Sequence, residues 1–484
     1  MSWMRRLAGA SFIYGIGGVA SRVVSLLLLP VLTRYLAPSD YGVVAMLAMM
    51  NSLLLAAVTL GTGNSMGICF HESTRAEHRN EVVWSTAAVV ASNSLVWGAI
   101  GALASVPISE LLFDTDAHGA AVLIALGQLV LSATIQPLLG RWRLEERPRA
   151  FIMATLGLAL ATAVANVYVV VRLQLGLLGL LTSTLAVQCV HAIVLYAFCA
   201  VRFPPRLSRT IMLRLIRLGW PSIFGVGAFF LLDFVGRWLV GRHVGLDSLG
   251  VYSIGVALGL GMAIFTEGAF GSAWPAFFLS FHDRREEASN VFGKVLQHYL
   301  VWFLTLAAAF FLLARPVVQL LTAEPFHAAA HIVGIVALCS VLKGAYLIFL
   351  PGLYFHRKLH IQAALEWLGA LTGLAACAIF VPQLGMLGAA IGTLVGYLAL
   401  CVATAIVAGK YLRIDVQRRK VSSVVAVFTA VAAVSFIDFA VPLWVDWIVR
   451  VGATLAVAAF VALTFGRTIA RSFRADPSSV SARS

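Results

Sequence analysis

The chain has 484 residues, of which 61% are hydrophobic and only 12% are charged, and its formal net charge is +14. Its mean hydropathy of +0.93 excludes a soluble globular protein, because such domains need a polar exterior and carry about 25% charged residues. The basic residues stand in short clusters between apolar stretches rather than in one patch, which is typical of membrane flanks and argues against a nucleic-acid partner.

Apolar runs long enough to cross a bilayer follow one another along the whole chain. A hydrocarbon core of about 30 Å is crossed by roughly 20 helical residues. Such runs predict about fourteen transmembrane helices, at 9–33, 42–66, 82–108, 119–140, 150–172, 176–200, 217–241, 249–279, 295–314, 331–352, 361–382, 384–409, 421–440 and 443–466. The strands of a membrane barrel would alternate over about ten residues, and these runs do not. We therefore predict an all-α polytopic membrane protein.

Loop charge alternates along the chain and predicts the orientation of these helices. With the N-terminus placed in the cytoplasm, the inside loops hold most of the 35 Lys and Arg residues. The outside loops hold Arg34, Arg172, Arg242 and Arg315. Because positive loops stay on the cytoplasmic side, we predict a multi-pass protein of the bacterial inner (plasma) membrane with both termini in the cytoplasm.

The sequence offers no motif for metal, disulfide or nucleotide chemistry. The six cysteines lie in or beside apolar spans and form no Cys-x-x-Cys pair, so neither a zinc site nor a disulfide framework is indicated. No Gly-x-x-x-x-Gly-Lys-Ser/Thr loop for ATP phosphates occurs. We therefore expect no metal and no cofactor. The energy would come from a proton or sodium gradient or from downstream consumption of the product.

Short motifs recur at a constant offset of 208 or 209 positions. The matched pairs are Arg34–Gly42 with Arg242–Gly250, Gln174–Gly179 with Gln383–Gly388, and Arg147–Arg149 with His356–Lys358. Six spans separate the copies, and because this number is even, both copies have the same orientation in the membrane. The motifs predict two parallel six-helix lobes at 1–206 and 207–412, two additional spans within 413–466, and a cytoplasmic tail at 467–484.

This arrangement resembles the multidrug/oligosaccharidyl-lipid/polysaccharide exporter superfamily, and within it the polysaccharide-transporter branch of Wzx-like oligosaccharide flippases. The resemblance is most specific near the N-terminus, in Ser21 and Arg22, Leu29 and Pro30, and Thr33–Gly42. It implies a V-shaped pair of lobes around a central cavity and alternating access. It also implies export of a polyprenyl-pyrophosphate-linked oligosaccharide, the repeat unit of an exopolysaccharide or O-antigen, alongside polysaccharide assembly proteins.

The first span carries polar residues along one face. Ser11, Gly15, Gly18, Arg22 and Ser25 recur at helical spacings. An arginine at mid-membrane costs about 2.5–3.5 kcal/mol on insertion scales, so we expect Arg22 to face a cavity or a partner helix. Its planar fork of donors suits a pyrophosphate, with the serines beside the sugar. A structural pairing of Arg22 with a neighbouring helix explains the pattern equally well.

Ionisable residues in later spans are candidates for substrate binding and ion coupling. Asp233 and Arg237 are four positions apart, which fits an internal ion pair, or else an ion-coupling carboxylate beside a second anion contact. Glu267 and Glu366 are the other coupling candidates, and Lys343 is a further anion contact. A bridge between Glu267 and Lys343 is a structural alternative. Burial of an unpaired Glu267 would suit it to proton coupling.

Trp274 is the aromatic candidate for stacking on sugar rings, although tryptophans near span ends usually anchor at the membrane interface. Two other functions remain as alternatives to the flippase. A drug/cation antiporter of the same superfamily would favour a carboxylate-dominated cavity, whereas basic and acidic candidates balance here. A membrane-embedded polysaccharide polymerase or ligase would need an extensive outer loop for its catalytic residues, and the predicted loops are short.

Overall fold

The computed structural model describes residues 23–220, 222–281, 284–414, 418–435 and 445–459. In these residues the backbone is helical, with short 3-10 and π segments and no strand. The α-helices are α1 Val23–Leu32, α2 Pro38–Thr59, α3 Thr62–His71, α4 Ala76–Leu103, α5 Ser105–Phe113, α6 Gly119–Leu144, α7 Pro148–Val167, α8 Gly176–Arg202, α9 Arg209–Gly219, α10 Ser222–His243, α11 Leu246–Gly259, α12 Ser272–Leu279, α13 Arg285–Leu321, α14 Ala330–Phe349, α15 Pro351–Phe355, α16 Leu359–Leu384, α17 Met386–Ala408, α18 Arg418–Ser435 and α19 445–459.

Ten helical segments of the described chain are long and apolar enough to cross a membrane. They are Pro38–His71, Ala76–Leu103, Gly119–Leu144, Pro148–Arg172, Gly176–Arg202, Leu246–Leu279, Glu287–Leu321, Glu324–Phe355, Leu359–Leu384 and Met386–Ala408. Each corresponds to a predicted span, which confirms a multi-pass, all-α membrane protein. The four other predicted spans overlap α1, α10, α18 and α19, and the total of fourteen stays a prediction.

The described chain divides into two compact units. Unit 1 comprises Met1–Ile254, Leu321–Phe326 and Gly369–Gly396. Unit 2 comprises Gly255–Leu320, His327–Leu368 and Tyr397–Ser484. One buried cluster of unit 1 joins α3, α4, α6 and α8 through Phe70, Val83, Leu138, Trp142 and Leu195. The predicted lobe boundaries at 206 and 412 stay a prediction.

The predicted span 42–66 contains a break between α2 and α3. Leu60 and Gly61 adopt left-handed conformations, with φ of 50° and 64°, which ends α2 and leaves its last carbonyl groups without helical partners. Asn93 of α4 compensates, since its side-chain amide donates to the carbonyl oxygens of Ala57 at 2.9 Å and Val58 at 2.8 Å. An average hydropathy taken over the span Pro38–His71 is high and does not reveal this break, although Gly61, Gly63 and Asn64 stand directly at it.

We expect replacement of Asn93 by the nearly isosteric leucine to destabilise the protein by about 1–3 kcal/mol, because the carbonyl group of the buried Val58 would lose this donor and that of Ala57 would keep only the long bond from the Leu60 N–H, at 3.4 Å. Thermal unfolding of the purified protein in detergent measures this effect. Ser92→Ala is the matched control, since the exposed Ser92 hydroxyl bonds only to its own helix, at the carbonyl oxygen of Val89. Equal melting temperatures for the two variants would contradict the capping role of Asn93.

The repeated motifs meet at the contact between α2 and α11. A Cβ atom on Gly42 would overlap the carbonyl oxygen of Leu246, and a Cβ atom on Gly250 would overlap that of Pro38. Leu246 stands 208 positions after Pro38, as Gly250 does after Gly42, so the contact is reciprocal between equivalent positions. Such a contact is what two copies related by a pseudo-two-fold axis make with each other.

The two copies of the second motif also share the same local backbone conformation. Gly176 and Gly385 are 209 positions apart and have φ of 56° and 58°. Each stands at the start of a helix, α8 or α17, where a residue with a side chain would be strained. The repeat that the sequence indicates is therefore visible in the backbone at both motif pairs.

Candidate functional site

The predicted span 249–279 is not a uniform α-helix. After α11 the backbone tightens to a 3-10 turn at Leu260–Met262 and then widens to a π segment at Ile264–Gly271, before α12 begins. π segments inside membrane-spanning and soluble helices occur frequently at functional sites, because the wider turn changes the direction of the side chains that follow. Glu267 lies in the middle of this π segment.

Glu267 forms an ion pair with Lys343 of α14, with 3.0 Å between its Oε2 atom and the lysine Nζ atom. The structure therefore forms the bridge that was one of the two arrangements expected from the sequence. Each partner lowers the cost of holding the other within a membrane-spanning segment. The side chains nevertheless remain 24% exposed for Lys343 and 35% for Glu267, so the pair is not sealed inside the protein.

A second carboxylate lies near the same helix. Tyr346, one turn after Lys343 on α14, donates its hydroxyl to Glu366 Oε1 at 2.6 Å. The side-chain amide of Gln362 donates to the same carboxylate oxygen at 2.9 Å and to the Tyr346 hydroxyl at 3.2 Å. Lys343 and Tyr346 thus each contact one of the predicted coupling carboxylates, Glu267 and Glu366.

Close packing of α13 against α14 supports these side chains. A Cβ atom on Gly344 would overlap the hydroxyl oxygen of Tyr299, and that hydroxyl donates to the carbonyl oxygen of Val341 at 3.0 Å. Phe270 of the π segment packs against the Tyr299 ring at a tilt, with 4.9 Å between the ring centroids. The absence of a side chain at Gly344 therefore lets Tyr299 bond to α14 beside Lys343.

Trp274 lies within this aromatic cluster. Its indole N–H donates to the carbonyl oxygen of Leu347 at 2.8 Å, its ring stacks on Phe270 with 5.4 Å between centroids, and it is only 3% exposed. The ring is enclosed by protein in this conformation, and its predicted stacking on sugar stays a prediction.

Asp233 and Arg237 lie one turn apart on α10, in unit 1. The guanidinium carbon of Arg237 lies 4.7 Å from the ring centroid of Phe234, an arrangement in which the aromatic face attracts the cation. The Arg237 Nε atom is buried and has no hydrogen-bond partner among the described residues. The guanidinium is thus held by an aromatic ring while one of its donors stays unused.

Of the residues predicted on the first span, Arg22 and Ser11 lie outside the described residues, and Ser25 is exposed on α1. Sequence reasoning did not identify Tyr346, Gln362 or Tyr299. The spacing of Gln362 and Glu366, four positions on one helix, was a usable signal, whereas the tyrosines had none. Within the described ranges, no group of three His, Cys, Asp or Glu side chains is placed to hold a metal ion.

Solved structures with a similar fold are membrane transporters. The lipid II flippase MurJ, in an inward closed conformation, has a TM-score of 0.71 and 11% identity, covering 95% of this chain and 100% of its own. An inward-facing multidrug resistance MATE family transporter of the MOP superfamily has a TM-score of 0.63 and 16% identity, covering 84% and 96%. A MOP superfamily transporter from Pyrococcus furiosus has a TM-score of 0.57 and 16% identity, covering 87% and 96%. At these identities the likeness concerns the fold.

Sequence comparison identifies the family. A family model described as "Polysaccharide biosynthesis protein" matches residues 31–331, more than half of the chain. No curated protein sequence matches significantly. The family match and the transporter fold confirm the resemblance that the N-terminal motifs indicate. The chain belongs to the polysaccharide biosynthesis protein family and has the fold of MOP superfamily transporters.

Proposed function

We propose that the protein is a flippase that moves a polyprenyl-pyrophosphate-linked oligosaccharide from the cytoplasmic to the outer leaflet of the bacterial inner membrane. The family match and the fold shared with a lipid II flippase support a lipid-linked substrate. The observation that carries the proposal is the partly exposed pair of Lys343 and Glu267 within membrane-spanning segments. Such a pair gives an anionic headgroup a cation to bind.

The substrate explains why a charged site within the membrane is needed. A pyrophosphate with attached sugars loses its hydration in hydrocarbon at a high cost, whereas its polyprenyl tail stays in the bilayer. A pyrophosphate carries more negative charge than a carboxylate, so it competes with Glu267 for Lys343. When Lys343 turns to the substrate, Glu267 loses its counterion and takes up a proton or a sodium ion. This exchange would couple substrate binding to an ion gradient.

Arg237 is the second anion contact of the proposal, because its buried Nε donor lacks a hydrogen-bond partner within the described residues. Arg22 is the pyrophosphate contact on the first span, with Ser11 and Ser25 beside the sugar. Asp233 and Glu366 are further coupling carboxylates. The protein works by alternating access, without covalent chemistry, metal or cofactor, with both termini in the cytoplasm and with polysaccharide assembly proteins as neighbours.

A transfer assay with purified full-length protein reconstituted into lipid vesicles tests this function. Proteoliposomes receive a labelled polyprenyl-pyrophosphate oligosaccharide in one leaflet, and a membrane-impermeant glycosidase reports how fast the sugar reaches the other leaflet. We expect transfer well above that of protein-free vesicles. Uptake of an organic cation drug without lipid transfer would instead identify a drug antiporter. Glycan chains that become longer on incubation with the protein, as seen by gel electrophoresis, would instead identify a polymerase.

In the same system we expect Arg22→Ala to lower the transfer rate about tenfold or more, which corresponds to a transfer barrier higher by about 1.4 kcal/mol or more. Arg22→Lys should retain part of the rate, because lysine keeps the charge but lacks the planar fork of donors. Lipid-linked intermediates assayed on each side of the membrane give the rate. Arg75→Ala is the control, since Arg75 is exposed in the loop before α4. An unchanged transfer rate in a well-expressed Arg22→Ala variant would contradict the assignment of Arg22 as the pyrophosphate contact.

A further inference from the structure

An open groove of unit 1 lies between the end of α6, the first half of α7 and the second half of α8. It runs from Arg147 and Arg202 at one end to Gly157 and His191 at the other, and we name it the lateral groove. Its volume is about 540 Å³, which is within the range of small-molecule sites in proteins. None of the residues that line it belongs to the proposed transport site.

The lateral groove has an apolar floor and apolar sides. Trp142 and Leu195, which belong to a buried cluster of unit 1, form the floor. Met153, Val194 and Phe198 line the sides and are exposed. The spans that contain α7 and α8 are the two least buried of the ten membrane-spanning segments of the described chain. In a membrane, lipid chains therefore lie against these side chains.

One end of the lateral groove is basic. Arg202, in the last turn of α8, is exposed, and no side chain of the described residues pairs with it. Arg147 contacts Glu145, with 3.3 Å between its Nε atom and a carboxylate oxygen. Glu145 is also bonded to Arg141 at 2.7 Å, so one carboxylate serves two arginines. Of the described residues that line the groove, none is acidic. This end therefore carries positive charge that an anion can balance.

The two ends of the lateral groove lie at different depths. Arg202 and His191 are eleven positions apart on α8, which corresponds to a rise of about 16 Å along the helix. Arg202 ends a membrane-spanning segment, where lipid headgroups lie, whereas His191 is within the hydrocarbon region. The charge of the groove is thus at headgroup level and its apolar part is beside the acyl chains.

We propose that the lateral groove binds an anionic phospholipid of the bilayer, with its phosphate at Arg202 and Arg147 and an acyl chain along the exposed apolar side chains towards Gly157. Arginine and phosphate form strong, frequently bidentate hydrogen bonds. The first turn of α7, which has no side-chain cap, adds N–H groups beside Arg147. No carboxylate of the described lining is present to hold the ammonium group of a zwitterionic lipid, so charge favours an anionic one. Basic pockets between membrane helices recognise anionic headgroups by the same chemistry.

Lipid binding to the purified full-length protein tests the proposal. Phosphatidylglycerol and phosphatidylcholine with the same short acyl chains are titrated separately into protein in a maltoside detergent, with native mass spectrometry and the unfolding temperature as readouts. We expect saturable binding of phosphatidylglycerol, with an affinity about tenfold or more above that of phosphatidylcholine, and a higher unfolding temperature. Equal affinities would overturn the proposal. Displacement of the bound phosphatidylglycerol by equimolar polyprenyl phosphate would assign the groove to that lipid instead.

Variants at the two ends locate the site. Arg202→Gln should weaken phosphatidylglycerol binding about tenfold or more, because the phosphate loses a charged donor. Gly157→Trp should weaken it too, since a Cβ atom there meets nothing within 4 Å and the added ring occupies the chain-binding end. The matched controls are Arg172→Gln, at the opposite end of the α7 span, and Gly452→Trp, at another open glycine. Wild-type affinity in both Arg202→Gln and Gly157→Trp would reject this groove.

His191 tests the orientation of the lipid. Its Nε2 atom is buried and has no hydrogen-bond partner among the described residues, and an acyl chain beside it offers none. His191→Leu should therefore keep the wild-type affinity or raise it. Loss of binding in this variant would place a polar lipid group at the inner end and contradict the proposed orientation. Size-exclusion profiles confirm that each variant is folded.

Discussion

Replacement of Gly250 by leucine is expected to remove nearly all folded protein from the membrane. The overlap at this position is with the carbonyl oxygen of Pro38, and a backbone atom cannot move aside as a flexible side chain can. Overpacking by side chains alone costs about 1–3 kcal/mol, and an obstruction by backbone costs more. Helices in a membrane associate through small residues that allow close approach, so α2 and α11 would have to separate.

The reciprocal geometry makes a sharp test of this contact. Gly42→Leu should reduce folded protein as strongly as Gly250→Leu, because a Cβ atom on Gly42 overlaps the equivalent carbonyl oxygen, that of Leu246. The yield of monodisperse protein by fluorescence-detected size-exclusion chromatography measures the effect, with at least a tenfold loss expected. Gly157→Leu is the control, since a Cβ atom there meets nothing within 4 Å. Wild-type yield for either variant would refute the close contact.

Lys343→Ala is expected to abolish transport of the lipid-linked oligosaccharide. Two effects combine in this variant. The carboxylate of Glu267 loses its counterion within a membrane-spanning segment, and removal of one partner from a buried ion pair costs about 3–5 kcal/mol, less here because both side chains are partly exposed. The substrate also loses its proposed cation. We therefore expect reduced thermal stability together with a transfer rate at the protein-free background.

A double variant separates these two effects. E267A/K343A removes both charges, so its stability should return close to that of the wild type, whereas its transfer rate should stay at background because the anion contact is still missing. Lys343→Arg should keep most of the activity. Lys410→Ala, which alters an exposed lysine, is the control. Wild-type transfer by E267A/K343A would show that the pair is only structural and would contradict the proposed exchange.

Much of the candidate site could not be predicted from the sequence, because its side chains come together only through the packing of distant helices. Glu267 and Lys343 are 76 positions apart, and whether they meet depends on how α14 packs against the π segment. The π segment also shifts the helical register, so the direction of Glu267 does not follow from a uniform period of 3.6 residues. The sequence did not indicate a role for Tyr346, because a tyrosine in an apolar run is as typical of simple packing as of a polar site.

The sequence by itself determined that this is a multi-pass helical membrane protein, because the length and apolar character of a segment decide whether it spans hydrocarbon. It also revealed the repeat, since copied motifs such as Arg34–Gly42 keep their spacing. Only the tertiary structure decided that Gly42 and Gly250 pack reciprocally and that Lys343 bonds to Glu267. These features depend on contacts between distant segments, and close approach of backbones and pairing of charges leave no periodic pattern in the chain.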